Sequence, residues 1–186
     1  MDTVGPAVAN RNAFRPGDAF LSTLGAHGFT WTDGGGADLR VLILPPPRPP
    51  GTESGRTELR RLVRFVLDGG GLVLLAGAGT YAAGPLFLSA FGLECGPNVL
   101  AGEVEVTPTS RLTVESERLV LQDPVPVGGA GYVLLTHGPH CLALGAPRGG
   151  GRVVLAGSPS LLRAADPALA HALVGWISGK AAGEAR

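Results

Sequence analysis

The strongest constraint on the fold is a buried strand that runs directly into a glycine-rich turn, in residues 72–84 (LVLLAGAGTYAAG). The apolar run Leu72 to Leu75 predicts the strand, and Gly77 and Gly79 predict a tight turn before a short helix near Pro85. In open α/β sheets, ligands bind at the carboxyl ends of strands, where such turns leave backbone N–H groups free. The stretch therefore predicts the centre of a sheet and the place to search for a ligand site.

The residues before this strand predict a strand–helix–strand unit. Residues 39–44 (LRVLIL) form a strand that ends at the following prolines, because proline cannot continue a sheet ladder. Apolar residues at helical spacing predict a helix over residues 55–67, and the glycines at 69–71 end it. Together these segments predict a right-handed βαβ unit, which is the building block of a parallel sheet.

Further elements are predicted on both sides of this unit. A helix begins at Asp18 and ends at Gly25, and a last helix begins at Asp166 and Pro167. The last helix is expected to bury Leu169, Leu173, Val174 and Ile177. Short strands are expected at residues 4–9, 29–31, 103–106, 112–114, 119–121, 132–136, 141–144 and 152–156.

The predicted fold class is an α/β domain of flavodoxin-like type, with three layers, a largely parallel central sheet and a β-rich insertion in the second half. A chain of 186 residues suits one domain. We therefore expect a single domain over residues 1–186, in which residues 1–9 and 180–186 are peripheral or frayed.

Composition and charge exclude several classes of protein. Charged residues make up 16% and hydrophobic residues 45% of the chain, which is typical of a globular protein. Fifteen basic and fifteen acidic residues cancel, and this balance argues against a nucleic-acid partner or an anionic membrane surface. No apolar stretch reaches the ~20 residues that span a bilayer, and no signal-peptide pattern is visible. A soluble cytoplasmic protein without direct membrane insertion is expected.

Two segments carry a resemblance to a known family. The first is the run that goes from residues 41–47 (VLILPPP) through residues 57–77 (TELRRLVRFVLDGGGLVLLAG). The second is residues 149–157 (GGGRVVLAG), which the helix at Asp166 follows. This order resembles the class I glutamine amidotransferase-like superfamily, over residues 10 to about 179. It is most similar to the non-catalytic branch, which includes bacterial domains related to gliding and ABC-transporter auxiliary proteins and the GIFT domain of intraflagellar transport.

The resemblance implies that the catalytic residues are missing. Catalytic members carry a cysteine on the turn after the central strand and a His-Pro-Glu after a late strand. Here the turn holds Ala78 and Gly79, and the later place holds Ser158, Pro159 and Ser160. Thiolate, imidazole and orienting carboxylate would all be absent from these places. The resemblance therefore implies no catalytic residue and no cofactor, and it argues against an enzyme.

The glycine-rich turn remains the first candidate for a ligand site. Its N–H groups could hold an anion, with Thr80 helping, because Gly77, Gly79 and Ala82 match the loose G-x-G-x-x-G/A pattern. The alternative is a tight turn with close backbone packing only. The complete set of candidate ligand-binding residues is Gly77, Ala78, Gly79, Thr80, Ser158 and Asn10.

A second cluster, His137, His140 and Cys141, offers metal-binding residue types. No second pair of ligands at suitable spacing completes a tetrahedron, so a polar hairpin turn followed by a buried cysteine is favoured and no metal is expected. A Cys141–histidine nucleophile pair is disfavoured, because adjacent hairpin residues seldom supply one. Cys95 and Cys141 lie far apart and predict no disulfide framework.

A basic helix face is predicted by four arginines, Arg56, Arg60, Arg61 and Arg64, and three of them, Arg56, Arg60 and Arg64, recur every four residues. This face could bind an acidic partner. The alternative is a solvated face that is partly paired with Glu53 and Glu58.

The favoured function is a non-catalytic amidotransferase-like domain that acts as a protein-interaction or assembly module. Its partner would be another protein, a second copy of the chain, or a component of a membrane or transport complex. Exposed edges of the short strands, or the last helix with Trp176, are further candidate surfaces. The alternative function is a small-molecule-binding or hydrolytic domain that uses the crevice at the carboxyl ends of the strands.

Overall fold

The structure is a computed structural model that describes residues 7–10, 18, 21–22, 25, 30–32, 39–44, 52–76, 84–112, 114, 119–162 and 167–178. The strands are β1 (Ala7–Asn10), β2 (Thr30–Thr32), β3 (Leu39–Leu44), β4 (Gly71–Leu75), β5 (Leu93–Cys95), β6 (Glu103–Pro108), β7 (Leu119–Gln122), β8 (Val127–Gly129), β9 (Tyr132–His137), β10 (His140–Arg148) and β11 (Gly151–Ala156). The helices are α1 (Glu53–Leu67), α2 (Gly84–Ser89) and α3 (Pro167–Ile177), with a 3-10 helix at Pro159–Leu162. Asp18, Leu21, Ser22 and Gly25 are also helical.

The main sheet is mixed, with the strand order β2-β1-β3-β4-β11-β10-β9-β6-β7, and β5 pairs with β8 in a separate small sheet. The strands from β2 to β11 in this order are parallel, and each pairing from β11 to β7 is antiparallel. Five of the nine pairings between described strands are therefore antiparallel. The prediction of a flavodoxin-like, largely parallel sheet with a β-rich insertion is wrong.

The physical reason lies in two tight turns. Gly138 and Pro139 join β9 to β10, and Gly149 and Gly150 join β10 to β11. Turns of this length can connect only antiparallel neighbours, whereas parallel strands need a long crossover. The residues predicted as an insertion therefore extend the central sheet itself.

The sheet also curls, so that its antiparallel end approaches its centre. Four strand spacings separate β11 from β7, which is about 19 Å in a flat sheet. Yet Ser158, just after β11, donates a 2.6 Å hydrogen bond to the carbonyl of Gln122 at the end of β7. The N–H of Val125 likewise donates to the carbonyl of Gly157 at 2.8 Å. These contacts require a curled sheet.

The βαβ prediction is confirmed for β3, α1 and β4, because β3 and β4 are parallel neighbours joined through α1. Thr52 caps α1: its side-chain oxygen accepts a 3.0 Å hydrogen bond from the N–H of Gly55, which satisfies one free donor of the first turn. Leu62 and Val66 bury the inner face of α1. Within the described ranges, no helix has the length and hydropathy needed to cross a bilayer.

Apolar residues on both faces of β4 make it the centre of the core. Leu72 and Leu74 belong to one hydrophobic cluster, together with residues of α1 and α2. Val73 and Leu75 belong to the cluster on the opposite face, together with residues of α3. Full burial of each such side chain contributes about 1.5–3 kcal/mol, so the predicted strand is also an energetic centre of the fold. The predicted buried residues of α3, Leu169, Leu173, Val174 and Ile177, are all buried.

Three local predictions need correction. Leu112 and Val114 are not in a strand, since the N–H of Leu112 instead closes a turn onto the carbonyl of Thr109 at 2.9 Å. Residues 7–9 are not peripheral, because β1 lies between β2 and β3 in the sheet. Trp176 is no association surface, because its side chain is only 6% exposed.

Arg148 attaches the small sheet to the large one. Its Nε and Nη2 atoms donate to the carbonyl of Phe91 at 2.9 and 2.6 Å, and Nη2 also donates to the carbonyl of Ala130 at 2.9 Å. Gly92, with φ of 65°, leaves room for this guanidinium, since a Cβ there would lie 2.7 Å from Nη2. Charge-assisted hydrogen bonds of this kind hold the Arg148 guanidinium in a partly buried place.

Candidate functional site

The predicted ligand-binding residues belong to one edge of the parallel part of the sheet. Asn10 is the last residue of β1, and Ser158 follows β11 by two residues. Gly77, Ala78, Gly79 and Thr80 follow β4 and lie outside the described residues. Because β1, β4 and β11 are parallel, their carboxyl ends share this edge. Three strand spacings, about 14 Å, separate β1 from β11, so Asn10 and Ser158 share an edge without being neighbours.

Ser158 is a buried polar residue, 1% exposed, and its hydroxyl is fully used. The hydroxyl donates to the carbonyl of Gln122 at 2.6 Å and accepts from the N–H of Ser160 at 3.1 Å. The Ser160 hydroxyl lies 2.8 Å away. It must be the donor in that contact, because the single hydroxyl proton of Ser158 is already donated to the carbonyl of Gln122. A serine hydroxyl has one donor and two acceptor positions. In this arrangement Ser158 has no capacity left for a ligand, and it joins β11 to β7.

Asp123 is the carboxylate next to this junction. Its Oδ1 accepts a 2.6 Å hydrogen bond from the N–H of Gly102, and its Oδ2 accepts one from the Gln122 side chain at 3.2 Å. The hydrogen bond from Gly102, with the weaker one from Gln122, holds the pKa of Asp123 below its ordinary value. A carboxylate of this kind stays ionised at neutral pH and is a poor general acid. The left-handed backbone of Asp123, with φ of 44°, serves this turn.

His137, His140 and Cys141, which the sequence places close together, have different surroundings in the structure. His137 and His140 face each other across the predicted hairpin, which is confirmed, and Nδ1 of His137 lies 2.7 Å from the carbonyl of Glu105. Burial raises the pKa of the Cys141 thiol to about 11 and outweighs the hydrogen bond with the backbone of Ala143. A thiol of this kind is a weak nucleophile at neutral pH. Among the described residues, no three His, Cys, Asp or Glu side chains come together to hold a metal ion.

Arg56, Arg60 and Arg64 form an exposed row on α1, as their spacing predicts. We call these three residues the arginine row. Successive members are four residues apart, which is about 6 Å along a helix. Leu67, three residues after Arg64 on the same side of the helix, is 51% exposed. Arg61 is also exposed and borders the row, about 60° around the helix from Arg64 and about 100° from Arg60.

The arginine row works against the stability of its own helix. Like charges four residues apart cost about 0.2–0.5 kcal/mol per pair, and the row contains two such pairs. Arg56 also lies near the helix N-terminus, where the helix dipole disfavours a cation. Arg64 is the exception: it pairs with Asp68 at 3.3 Å. That pair has side-chain exposures of 81% and 65%, and pairs so exposed contribute little. Glu53, exposed three residues before Arg56, offsets about one of the two like-charge pairs, so the net cost of the row to α1 is only a few tenths of a kcal/mol.

An apolar surface on β9 was missed by the sequence prediction. Tyr132 is 43% and Val133 37% exposed, and the guanidinium of Arg111 lies 4.5 Å from the centre of the Tyr132 ring. Tyrosine and arginine are enriched at protein interfaces. Exposed and buried residues do not alternate along β9. The alternation of polar and apolar residues, by which exposed strand positions are predicted from sequence, therefore could not identify Tyr132 and Val133 as exposed.

In the described part of the chain, fold and surface define a curled mixed-sheet α/β domain with a charged helix face and a serine junction at its strand ends. No family model matches the chain, and no curated protein matches it. Solved structures do match. A cytoplasmic protein of Salmonella typhimurium has a TM-score of 0.67 and is 10% identical, over 93% of this chain and 98% of that protein.

Two β-galactosidases also resemble the chain. The enzyme from Rahnella sp. R3 has a TM-score of 0.64 and is 12% identical, over 95% of this chain. The enzyme from Bacillus circulans sp. alkalophilus has a TM-score of 0.62 and is 13% identical, also over 95% of this chain. The chain spans 31% of the length of each enzyme. At this identity the likeness shows a shared fold and no more.

Proposed function

We propose that this chain is a non-catalytic protein-interaction or assembly module, and that the arginine row on α1 is its contact surface. The observation that carries the proposal is the exposure of Arg56, Arg60 and Arg64 in one row of like charge on α1. Like charges collected on one exposed side of a helix form a positive surface that attracts an acidic partner. The partner is a protein, which includes a second copy of the chain or a component of a membrane or transport complex.

The serine junction supports a non-catalytic role for the place where the resemblance puts a His-Pro-Glu. Ser158 and Ser160 stand there, and their hydroxyls hydrogen-bond each other and the backbone of Gln122. These groups join two strands and leave no activated nucleophile at that place. A non-catalytic amidotransferase-like domain accordingly remains our proposal for the family.

The structural neighbours support a modular use of the fold. The same fold spans almost all of a free-standing Salmonella typhimurium protein and 31% of a β-galactosidase. A domain found in both settings is one that can associate with other units. We also propose a cytoplasmic location, since two neighbours from Salmonella typhimurium are described as cytoplasmic proteins.

The proposal is tested by charge reversal on α1. Tagged wild type, the double variant Arg60→Glu/Arg64→Glu and the control Arg111→Glu are used to retain partners from an extract of the source organism. The double variant should lose at least about 90% of a retained partner, because it replaces two attractive charges by repulsive ones. The control makes the same type of change at an exposed arginine outside α1 and should retain the partner. Unchanged retention by the double variant would show that the arginine row is not the contact surface.

A small-molecule site at the carboxyl edge of β1, β4 and β11 is the second candidate, because one edge collects these strand ends. Nucleotides, sugar phosphates and carboxylates at millimolar concentration provide a thermal-shift test. A ligand present at 100 times its Kd stabilises the folded state by about 2.7 kcal/mol. For a chain of this size, that corresponds to about 5–10 °C in Tm. Absence of any shift would reject this candidate for the ligands used.

A further inference from the structure

We propose that the arginine row on α1 binds the acidic surface formed by Glu103 and Glu105 on a second copy of this chain. The inference rests on the proposed function, because it names the partner of the same contact surface. It follows from the shape and charge of two separate surfaces of one molecule.

The acidic surface lies on β6, whose residues alternate between exposed and buried. Glu103 and Glu105 are exposed on one face of the strand, and Val104 and Val106 are buried on the other. The two glutamates are two residues apart on the same face, which is about 6.8 Å along an extended strand. Asp123, an exposed carboxylate whose Oδ1 accepts from the N–H of Gly102, adds negative charge beside Glu103.

The spacing of the two surfaces matches. Arg60 and Arg64 are about 6 Å apart along α1. The difference of less than about 1 Å from the glutamate spacing is within the reach of flexible arginine side chains. Each guanidinium can therefore face one carboxylate, and arginine and carboxylate groups form paired, directional hydrogen bonds.

The two surfaces belong to different parts of the fold. α1 packs on β4 and β11, whereas β6 lies three strand positions beyond β11. A contact between α1 of one copy and β6 of the next is head-to-tail, so a pair of copies leaves one arginine row and one acidic surface outside the contact. Such contacts produce a ring if the rotation closes and an open chain of copies if it does not. The exposed Leu67 beside the arginine row adds apolar area to the contact.

The association should be weak and sensitive to salt. Ion pairs at exposed positions are individually weak and are screened as ionic strength rises. Raising the salt from about 50 mM to about 500 mM shortens the Debye length more than twofold, so the association should be lost over this range. Sedimentation equilibrium at about 100 µM protein measures it directly, as a mass above that of the monomer at low salt.

Reciprocal charge reversal is the decisive experiment. Arg60→Glu/Arg64→Glu and Glu103→Arg/Glu105→Arg should each be monomeric at low salt, with unchanged circular dichroism. A mixture of these two double variants should associate again, because each contact then joins opposite charges. Its dissociation constant should be at least tenfold below that of either variant alone. Arg111→Glu, which reverses an exposed charge outside both surfaces, should associate as the wild type does.

Several outcomes would overturn the inference. A wild type that stays monomeric at low salt excludes self-association. If that monomer still loses an extract partner on Arg60→Glu/Arg64→Glu, the interaction module stands and a different acidic protein is its partner. If the monomer retains no partner at all, the proposed function falls as well. Association that survives both reversals, or a mixture that fails to associate, shows that the contact uses other surfaces.

Discussion

Replacement of Ser158 by alanine is the most direct test of how the curled sheet is held together. Ser158 is 1% exposed, and its hydroxyl donates to Gln122 on β7 while it accepts from the N–H and hydroxyl of Ser160. The Gln122 residue is 36 positions away in the chain, so this hydrogen bond joins distant segments. If it closes the curl, Ser158→Ala should destabilise the whole domain.

The expected loss is about 1–3 kcal/mol of unfolding free energy, because the substitution leaves part-buried polar groups of Gln122 and Ser160 short of a partner. For a chain of this size, each kcal/mol lowers Tm by about 2–4 °C, so the expected shift is about 2–12 °C. The slope of free energy against denaturant should not change, since the surface exposed on unfolding stays the same. The destabilisation should be cooperative, with one transition.

Urea unfolding, followed by tryptophan fluorescence and by circular dichroism, measures this loss. Ser110→Ala is the matched control: Ser110 is exposed in a turn, and the same atoms are removed there. It should stay within about 0.5 kcal/mol of wild type. Ser160→Ala completes a double-mutant cycle with Ser158→Ala, in which a coupling of at least about 0.5 kcal/mol is expected. A Ser158→Ala protein as stable as the control would refute the reasoning that this hydroxyl closes the curl.

Two further predictions concern packing and the buried thiol. Gly145→Ala should cost about 1–3 kcal/mol, because its Cβ would lie 2.5 Å from the Trp176 ring; the cost should shrink in a Trp176→Leu background, and an equal cost in both would contradict the steric cause. The folded state raises the pKa of Cys141 from about 9 to about 11, so it binds more protons than the unfolded chain in this window and stability should fall as pH rises through it. Cys141→Ala should flatten that alkaline fall in urea titrations, and an unchanged profile would exclude Cys141 as its source.

Local periodicity was sufficient to predict where these strands and helices lie, but not whether neighbouring strands run parallel or antiparallel. The strand at 39–44, the helix that follows and β4 were predicted because long apolar runs and strong turn residues are local signals. β10 and β11 are both largely apolar and buried. An apolar run of this kind does not indicate whether the adjacent strand in the sheet is parallel or antiparallel to it. The short turns before and after β10 carried that information. The prediction instead extended the parallel pairing of the βαβ unit to the whole sheet.

The candidate sites divide in the same way. Exposure of Arg56, Arg60 and Arg64 was predictable, because a repeat of four residues places side chains on one side of a helix. The saturation of Ser158 was not predictable, because its acceptor Gln122 comes from a strand far away in the sequence. Only a sheet that curls brings the two together, and no local pattern in the chain encodes that curl.

The curl also changes which part of the sheet edge could hold a ligand. At the carboxyl end of β11, the hydroxyl of Ser158 hydrogen-bonds to Gln122 of β7 and to Ser160 of the 3-10 helix, and Ser160 in turn bonds to Gln122. A ligand at this edge would therefore be bound from the β4 side, where Asn10 is two strand spacings, about 10 Å, away. Ser158→Ala then separates the two roles. If Ser158 is structural, the variant loses stability and keeps any thermal shift caused by a ligand; if Ser158 binds the ligand, the shift disappears while stability is retained.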